Sequence, residues 1–571
     1  MFGLIARLFW LIGWLLALPV RLARRWAART REGTYLVVEA EGPITELPLQ
    51  RRTWPWAVTN ALSLHALGRL VEAASRDRRI AGLVLVLRGL RGGTATAASV
   101  RGILGRARAA GKRVVVHLPL GGGTREAFVA AAGDEVLLGP QSSLHAVGLL
   151  SSTRYVRGAL DKIGVVPEVH ARGQYKTAAE RLERTSMSAP QREQVEAMVD
   201  GVYSEIVRGI STGRRVDEAR ARAMLDGAPY SGDEAVAAGL VDGLAYEDEL
   251  AKRLGVDGKK ARLVVAESWW RPRVALRPRA LQGSGVIGVV RVHGAIAGDP
   301  GLPLRAMAVD ERVIAAVRLA RLHPRVRGVV LHVDSPGGSA LASDRIHHEL
   351  VQLAAEKPVV ACMGDVAASG GYYVAVAAHA IVAQPTTLTG SIGVIGARLV
   401  IEPLLSRLGV TTEIIARGAH ARLLDPFLAL ADGDRAAIDR ELERTYQAFV
   451  RVVADGRHRT IDEIETLAQG RVWIGADAHA RGLVDRLGGF EEALELVRGR
   501  VGRGADRLGV TVLKPPRRGI PALDPPERKA ARAVAATLEG VGWALDIDPR
   551  LLALRSERVL LWDPVAASMR S

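Results

Sequence analysis

The sequence predicts an α/β protein made of two tandem copies of one unit, each built around a mainly parallel sheet. Short apolar runs rich in β-branched residues lie at 82–87 and 328–333, and each follows a helical pattern, at 64–75 and 311–322. Such runs are typical of strands buried on both faces of a parallel sheet. Helices that alternate with them predict βα units in each half.

Two further pairs of segments support the duplication. KRVVVHL at 112–118 matches KPVVACM at 357–363, and GDEAVAAGLVDGL at 232–244 matches GADAHARGLVDRL at 475–487. With 571 residues, each half is long enough to bury its own core. We therefore expect the following division of the chain: a first unit at 36–250, a connector at 251–284, a second unit at 285–496 and a C-terminal tail at 497–571.

Composition excludes several classes of protein. The formal net charge is +17, but acidic residues interleave with the basic ones and aromatic residues make up only 4% of the chain. That is too few for the stacking platforms of a nucleic-acid-binding protein. Solvated basic faces explain the charge, and anionic membrane lipid is a second explanation. A single cysteine, Cys362, excludes an intramolecular disulfide framework and a Cys-rich metal site.

The first 31 residues are typical of a membrane-associated segment. The uninterrupted apolar run from Leu8 to Val20 is shorter than the roughly 20 residues of a spanning helix. Three tryptophans fit anchors at the membrane interface: Trp10, Trp14 and Trp26. Five arginines follow the apolar run: Arg21, Arg24, Arg25, Arg29 and Arg31. We expect an uncleaved membrane anchor or an in-plane amphipathic helix at 1–31; a buried core helix is the alternative. The basic flank favours the cytoplasmic side.

Four spaced motifs carry a family resemblance. VDSPGGSA at 333–340, GDVAASGGYYVA at 364–375, PTTLTGSIGVIG at 385–396 and GQYKTAAE at 173–180 resemble the signal peptide peptidase A family, in its long two-domain form. The resemblance covers residues 36–496. It implies tandem ClpP/crotonase-like βα spiral domains and a serine endopeptidase with a Ser/Lys dyad, without a metal or other cofactor.

The same resemblance implies the biological setting. Its substrates would be cleaved signal peptides and other short apolar peptides, and the chain would form a homotetramer. It would be anchored N-terminally in the inner membrane of a bacterium with its catalytic domains on the periplasmic side, whereas the basic flank favours the opposite orientation.

The family motifs also imply roles for individual residues. Ser369 in AASGG would be the nucleophile and Lys176 in GQYK the general base, oriented by Ser391 in TGSIG. The backbone amides of Gly338 and Gly370 would form the oxyanion hole. A serine hydroxyl needs a base to become a good nucleophile. A lysine can be that base only when neutral, which requires its pKa to fall from about 10.4 to roughly 7 or 8.

Each of these residues also has a purely structural interpretation. Without the resemblance, Ser369 is the start of a close-packed helix, Lys176 a surface lysine on a turn, and Ser391 a serine that caps a turn. SPGG alone would be only a turn. The sequence leaves open whether Lys176 and Ser369 meet within one chain or between subunits.

The internal repeat provides an independent test of the dyad. Subtracting the repeat offset of 245 from Ser369 gives Thr124, and adding it to Lys176 gives Ala421. The copy that keeps the serine has therefore lost the lysine, and the copy that keeps the lysine has threonine in place of the serine. Such complementary loss is expected if a duplicated enzyme divided one site between its halves.

Two other functions and three other motifs compete with this hypothesis. A crotonase-like acyl-CoA enzyme and a non-catalytic membrane scaffold are the alternatives, and neither explains why both dyad residues are kept. GISTG at 209–213 follows a helix rather than a strand, and GSGVIG at 283–288 leads into a strand. HHEL at 347–350 lacks the second histidine of a zinc helix and is expected on a solvated helix surface.

Overall fold

A computed structural model describes residues 18–19, 30–47, 50–53, 57–60, 63–275, 285–298, 307–425, 427–514 and 560–562. The strands of the first half are β1 (Thr34–Pro43), β2 (Gln50–Thr53), β3 (Ala57–Asn60), β4 (Ile80–Arg91), β5 (Arg113–Leu118), β6 (Gly122–Gly123), β7 (Glu135–Leu138), β8 (Leu144–His145), β9 (Val166–Arg172), β10 (Gly243–Leu244) and β11 (Arg262–Val265). Its helices are α1 (Leu64–Arg76), α2 (Thr94–Ala109), α3 (Thr124–Ala130), α4 (Arg157–Ile163), α5 (Glu180–Glu183), α6 (Ala189–Arg214), α7 (Glu218–Asp226), α8 (Gly232–Ala238), α9 (Leu250–Arg253) and α10 (Ala266–Ala275).

The second half follows the same plan. Its strands are β12 (Val286–His293), β13 (Ala295–Ala297), β14 (Met307–Val309), β15 (Val326–Ser335), β16 (Gly337–Ser339), β17 (Val359–Ala368), β18 (Ala380–Ala383), β19 (Leu388–Gly390), β20 (Val394–Val400), β21 (Val472–Ile474), β22 (Arg486–Leu487), β23 (Gly509–Val512) and β24 (Leu560–Trp562). Its helices are α11 (Asp310–Leu322), α12 (Ala340–Glu356), α13 (Gly370–Ala375), α14 (Glu402–Arg407), α15 (Asp432–Arg457), α16 (Ile461–Leu467), α17 (Gly475–Ala480) and α18 (Phe490–Val501).

Two sheets with one strand order confirm the predicted duplicated α/β fold. The first sheet runs β10-β7-β5-β4-β1-β11, and every pair in it is parallel. The second contains the matching path β22-β18-β17-β15-β12-β23, also parallel throughout, with β19 and β21 added beside β17. The central apolar runs are buried on both faces, as Val84 and Val330 illustrate. Helices cover both sheets, as expected for parallel sheets.

The units extend further than their expected boundaries. Strand β11 lies inside the segment expected to be a connector, yet it pairs with β1 from Thr34–Arg262 to Val37–Val265. Trp269 of α10 is then buried in the first core. Strand β23 lies inside the expected tail and pairs in the same way with β12. Each unit therefore closes with a strand that returns to its first strand.

A third sheet joins the two halves and positions the site. Its order is β14-β13-β16-β24-β20-β9, so it combines strands from both units. β9 of the first half pairs antiparallel with β20 of the second, from Val166–Val400 to Arg172–Val394. The loop that follows β9 is consequently held beside the second unit.

A partly buried group of charges also links the halves. Asp365 of the second unit accepts hydrogen bonds from the backbone of Gly93 (2.7 Å) and from the backbone and hydroxyl of Thr96 (both 2.9 Å), at the start of α2. Glu46 lies 3.3 Å from His332. Burial alone would raise the pKa of Glu46, but this ion pair outweighs it and holds the pKa at about 2.

Asp334 interacts electrostatically with Asp365, His332 and Glu46 of this group. Burial, together with the negative charge of Asp365, raises the pKa of Asp334 to about 7. The sequence does not predict this group, because nothing in the local pattern of its residues marks a contact between the repeats.

The structure also shows where the three competing motifs, GISTG, GSGVIG and HHEL, lie. GISTG is inside α6, and GSGVIG ends in β12. HHEL lies in α12, but the expectation of a solvated surface is wrong in part: Glu349 and Leu350 are buried, and His347 packs edge-on against Tyr373. Among the described residues, no group of side chains could hold a metal ion.

The predicted anchor at 1–31 lies outside the described residues except for positions 18–19 and 30–31. None of the helices that the structure describes has the length and apolar character needed to cross a membrane.

Candidate active site

Ser369 lies at the sharp turn between β17 and α13. Its backbone has φ 55° and ψ −117°, an uncommon conformation for a residue with a side chain. The turn is fixed on both sides, because the Ser369 N–H donates to the carbonyl of Gly390 (2.8 Å) and its carbonyl accepts from Tyr373 (2.9 Å). Ser369 is fully buried. Strain of this kind persists only where the surrounding structure imposes it.

The small residues after Ser369 permit the close approach of two chain segments. A methyl group on Gly370 would lie 2.5 Å from the Ser343 hydroxyl oxygen and 3.3 Å from the backbone nitrogen of Gly338. Gly338 has φ 154°, and a methyl group there would lie 1.9 Å from the carbonyl oxygen of Ile296. Gly338 therefore requires glycine, and a side chain on Gly370 would force the Ser343 hydroxyl to move. The two residues predicted to supply the oxyanion hole are thus neighbours.

Lys176 reaches Ser369 from the other half of the same chain. It follows β9 in a turn where its N–H donates to the carbonyl of Gly173 (3.0 Å). Its ammonium nitrogen Nζ lies 2.8 Å from Oγ of Ser369, 2.9 Å from Oγ of Ser391 and 3.1 Å from the carbonyl oxygen of Ser391. Only 3% of Lys176 is exposed, and Ser391 is fully buried. The structure therefore brings the three predicted side chains together.

A turn at 469–471 holds both partners of this contact. The carbonyl of Gln469 accepts a hydrogen bond from the N–H of Tyr175 (2.7 Å), next to Lys176. The carbonyl of Arg471 accepts one from the N–H of Ser391 (2.7 Å). The local sequence does not mark this turn as part of the site, although Gly470 is a turn signal.

Gly470 is the point of closest approach in that turn. Its φ is 75°, and a β-carbon on it would lie 2.5 Å from the backbone nitrogen and 2.8 Å from the Cα of Lys176. Both the conformation and the space therefore require glycine. Gly470 fixes the position of the Lys176 backbone and, through it, the base of the side chain.

The matching positions of the repeat hold different chemistry. Thr124 is buried, and its hydroxyl donates to the carbonyl of Gly148 (2.8 Å) and accepts from the N–H of the same residue (3.0 Å). Ala421 begins a short 3₁₀-helix, Ala421–Leu424. The first unit thus has a backbone-bonded threonine where the second has Ser369.

Comparison with known proteins identifies the family. The model of peptidase family S49 matches residues 106–261 and again residues 351–502, once in each unit. The chain belongs to peptidase family S49. It is a serine-type peptidase, and the predicted family, fold and enzyme class are confirmed. Assignment of roles to individual site residues stays a prediction.

Individual S49 relatives and one solved structure complete the comparison. The chain is 32% identical to the chloroplastic serine protease SPPA of Arabidopsis thaliana over 82% of its own length and 69% of the relative's. It is 33% identical to Protease 4 of Salmonella typhi over 76% of its length and 71% of the relative's. A solved ClpP1 mutant from Listeria monocytogenes matches 36% of this chain and 93% of its own, at 14% identity and a TM-score of 0.24. The similarity to Protease 4 of Salmonella typhi suggests that this chain is a bacterial protease.

Proposed function

We propose that this S49 peptidase cleaves peptides with Ser369 as nucleophile and Lys176 as general base. The observation that carries the proposal is the 2.8 Å contact between Lys176 Nζ and Ser369 Oγ, both from buried residues. A base within hydrogen-bond reach of the nucleophile is the geometry that nucleophilic catalysis needs. Ser391 orients the lysine through its hydroxyl and its carbonyl.

The reaction follows from these positions. Neutral Lys176 takes the hydroxyl proton as Ser369 Oγ attacks the carbonyl carbon of the scissile bond. The amides of Gly338 and Gly370 stabilise the negative oxygen of the tetrahedral intermediate, and one such donor contributes about 3 kcal/mol. The lysine then gives its proton to the departing amine, which leaves an acyl-enzyme. A water molecule, activated by the same lysine, attacks the ester and regenerates Ser369.

The substrates we propose are signal-peptide remnants and other short apolar peptides. Support comes from membership of a peptidase family and from the apolar run at 8–20, which would hold the enzyme near the membrane. Inner-membrane anchoring through residues 1–31 belongs to the same proposal. Protease protection of sealed vesicles, before and after permeabilisation, tests the side on which the two units lie.

We further propose a homo-oligomer in which a segment of the second unit pairs with a segment of the first unit of the next chain. With the repeat offset of 245, residues 411–417 are the counterparts of β9 and residues 149–155 those of β20, yet neither segment forms a strand. Ile415 is 89% exposed. Because β9 and β20 pair within the chain, their counterparts can pair between chains, head to tail, as in a closed ring.

Light scattering of the purified protein tests this arrangement. Ile415→Lys places a charge on the exposed segment and should reduce the assembly to smaller species. Val256→Lys, at a 71% exposed site of the first unit, is the matched control and should leave the size unchanged. An assembly of unaltered size in Ile415→Lys would exclude this interface.

Hydrolysis of fluorogenic leucine-rich peptides tests the catalytic roles. In detergent-solubilised protein, Ser369→Ala and Lys176→Ala should each lose at least about a thousandfold in kcat/KM while staying folded. Lys162→Ala, an exposed lysine of α4, controls for loss of a positive charge and should retain activity. Full activity in either dyad variant would refute the assignment. The acyl-CoA and scaffold hypotheses predict that the native chain itself cleaves no peptide.

A further inference from the structure

Strand β24 comes from the last part of the chain and lies inside the sheet that carries the site. It pairs antiparallel with β16, so that Trp562, Leu561 and Leu560 face Gly337, Gly338 and Ser339. On its other side, Leu560 pairs with Ile395 of β20. In the sheet order β14-β13-β16-β24-β20-β9, β24 alone bridges β16 and β20.

The two strands beside β24 are those that lead to the reacting groups. β16 contains Gly338, and β20 begins at Val394, shortly after Ser391. Because each is bonded to β24 and not to the other, they lie two strand spacings apart, roughly 10 Å. Removing β24 would leave a slot one strand wide beside the Lys176–Ser369 contact. An extended peptide can fill such a slot by bonding to both edges.

We propose that residues 560–562 are an internal ligand of the peptide-binding groove and compete there with substrate. The inference rests on the proposed function for the identity of the competitor, but not for the contact itself. The segment reads Leu-Leu-Trp, which has the apolar character of the proposed substrates. Among the described residues, its ladder against β16 spans three pairs, and an extended peptide that forms more backbone hydrogen bonds can displace it.

The occupied groove sets the apparent affinity for substrate. When only a fraction of molecules has an open groove, the apparent KM rises by the inverse of that fraction, whereas kcat at saturation is unchanged. A tail bound for nine-tenths of the time therefore raises KM about tenfold. The chain would hold its own activity low until peptide concentration is high.

A cross-link tests the contact without requiring catalysis. Leu560→Cys combined with Ile395→Cys joins two directly paired positions, and the natural Cys362 is buried. Mild oxidation should form the bond in the full chain, detected as a linked pair of peptides after digestion, and neither single variant should form it. If the double variant forms no bond, the tail does not occupy the groove and the proposal is wrong.

Peptide binding tests the competition. In a Ser369→Ala background, a fluorescein-labelled peptide of residues 556–566 is titrated by anisotropy. Leu561→Pro removes a backbone donor from β24 and should lower the Kd of the labelled peptide about tenfold. Leu561→Ala keeps the donor and controls for the lost side chain. Equal Kd values in the proline and alanine variants and the native tail would overturn the competition.

The two proposals fail in different ways. If the proline variant gains affinity for the labelled peptide but, with Ser369 restored, cleaves no peptide, the proposed function fails and the internal ligand stands. If the native chain cleaves peptides, Ser369→Ala and Lys176→Ala do not, and the proline variant has the same KM as the native chain, the proposed function stands and the internal ligand is refuted.

Discussion

Replacing Gly470 by alanine tests whether the turn at 469–471 sets the position of the lysine. The new β-carbon would lie 2.5 Å from the backbone nitrogen of Lys176, about 1 Å closer than an ordinary contact. Either the turn or the lysine must move by that amount. Because a displacement of about 1 Å at a reacting group costs on the order of a hundredfold, kcat should fall by that factor with little change in KM.

A second glycine separates the steric effect from the backbone strain. Gly111 has φ 76°, almost equal to the 75° of Gly470, but a methyl group on it meets nothing within 4 Å. Both substitutions to alanine incur roughly 1–2 kcal/mol for the left-handed conformation, so both should lower the melting temperature by a few degrees. Only Gly470→Ala should lower kcat.

The assay is steady-state hydrolysis of a fluorogenic peptide beside thermal melting followed by circular dichroism. A Gly470→Ala variant that keeps kcat within about twofold of the native value, with a melting temperature like that of Gly111→Ala, would refute the reasoning. The lysine would then tolerate displacement of its backbone, or would not be the base.

Three further substitutions test other parts of the structure. Ser391→Ala should reduce kcat by roughly ten- to a hundredfold because Lys176 loses a hydroxyl partner at 2.9 Å, and an unchanged kcat would remove Ser391 from the site. Thr124→Ala should leave kcat unchanged but lower the unfolding free energy by about 1–3 kcal/mol, measured in urea, because the Gly148 backbone loses its partner. Asp334→Asn should flatten the dependence of the unfolding free energy on pH. Because the fold raises the pKa of Asp334 to about 7, its protonated form stabilises the folded chain; this stabilisation is complete below the ordinary pKa near 4 and is lost as pH rises through 7. Urea titrations at several pH values check this, and a slope equal to that of the native chain would contradict it.

Local sequence patterns predict the central strands because these strands consist mostly of apolar residues, which mark them as buried. The run around Val84 is apolar throughout, the run around Val330 is apolar except for His332, and the two runs form middle strands of the two sheets. The repeat offset likewise related Ser369 to Thr124 and Lys176 to Ala421 without reference to any other protein. The strands and site positions that occur in both halves can therefore be predicted from this sequence alone.

Contacts between the halves could not be predicted in this way. Strand β9 has a mixed sequence, VPEVHAR, and its partner β20 lies in the other half of the chain. Its pairing depends on the shape of both units and not on its own residues. The same holds for the contact of Asp365 in β17 with the start of α2, and for the short strand β24, whose three residues are too few for a periodic signal.

The pairing of β9 with β20 bears on when the enzyme can become active during its synthesis. A ribosome that has completed Lys176 has made the proposed base but not the proposed nucleophile, Ser369, and the turn that contacts both parts of the site ends at Arg471. A nascent chain shorter than this cannot assemble the site. On the proposed roles, proteolysis therefore begins only after the second unit has been made and folded.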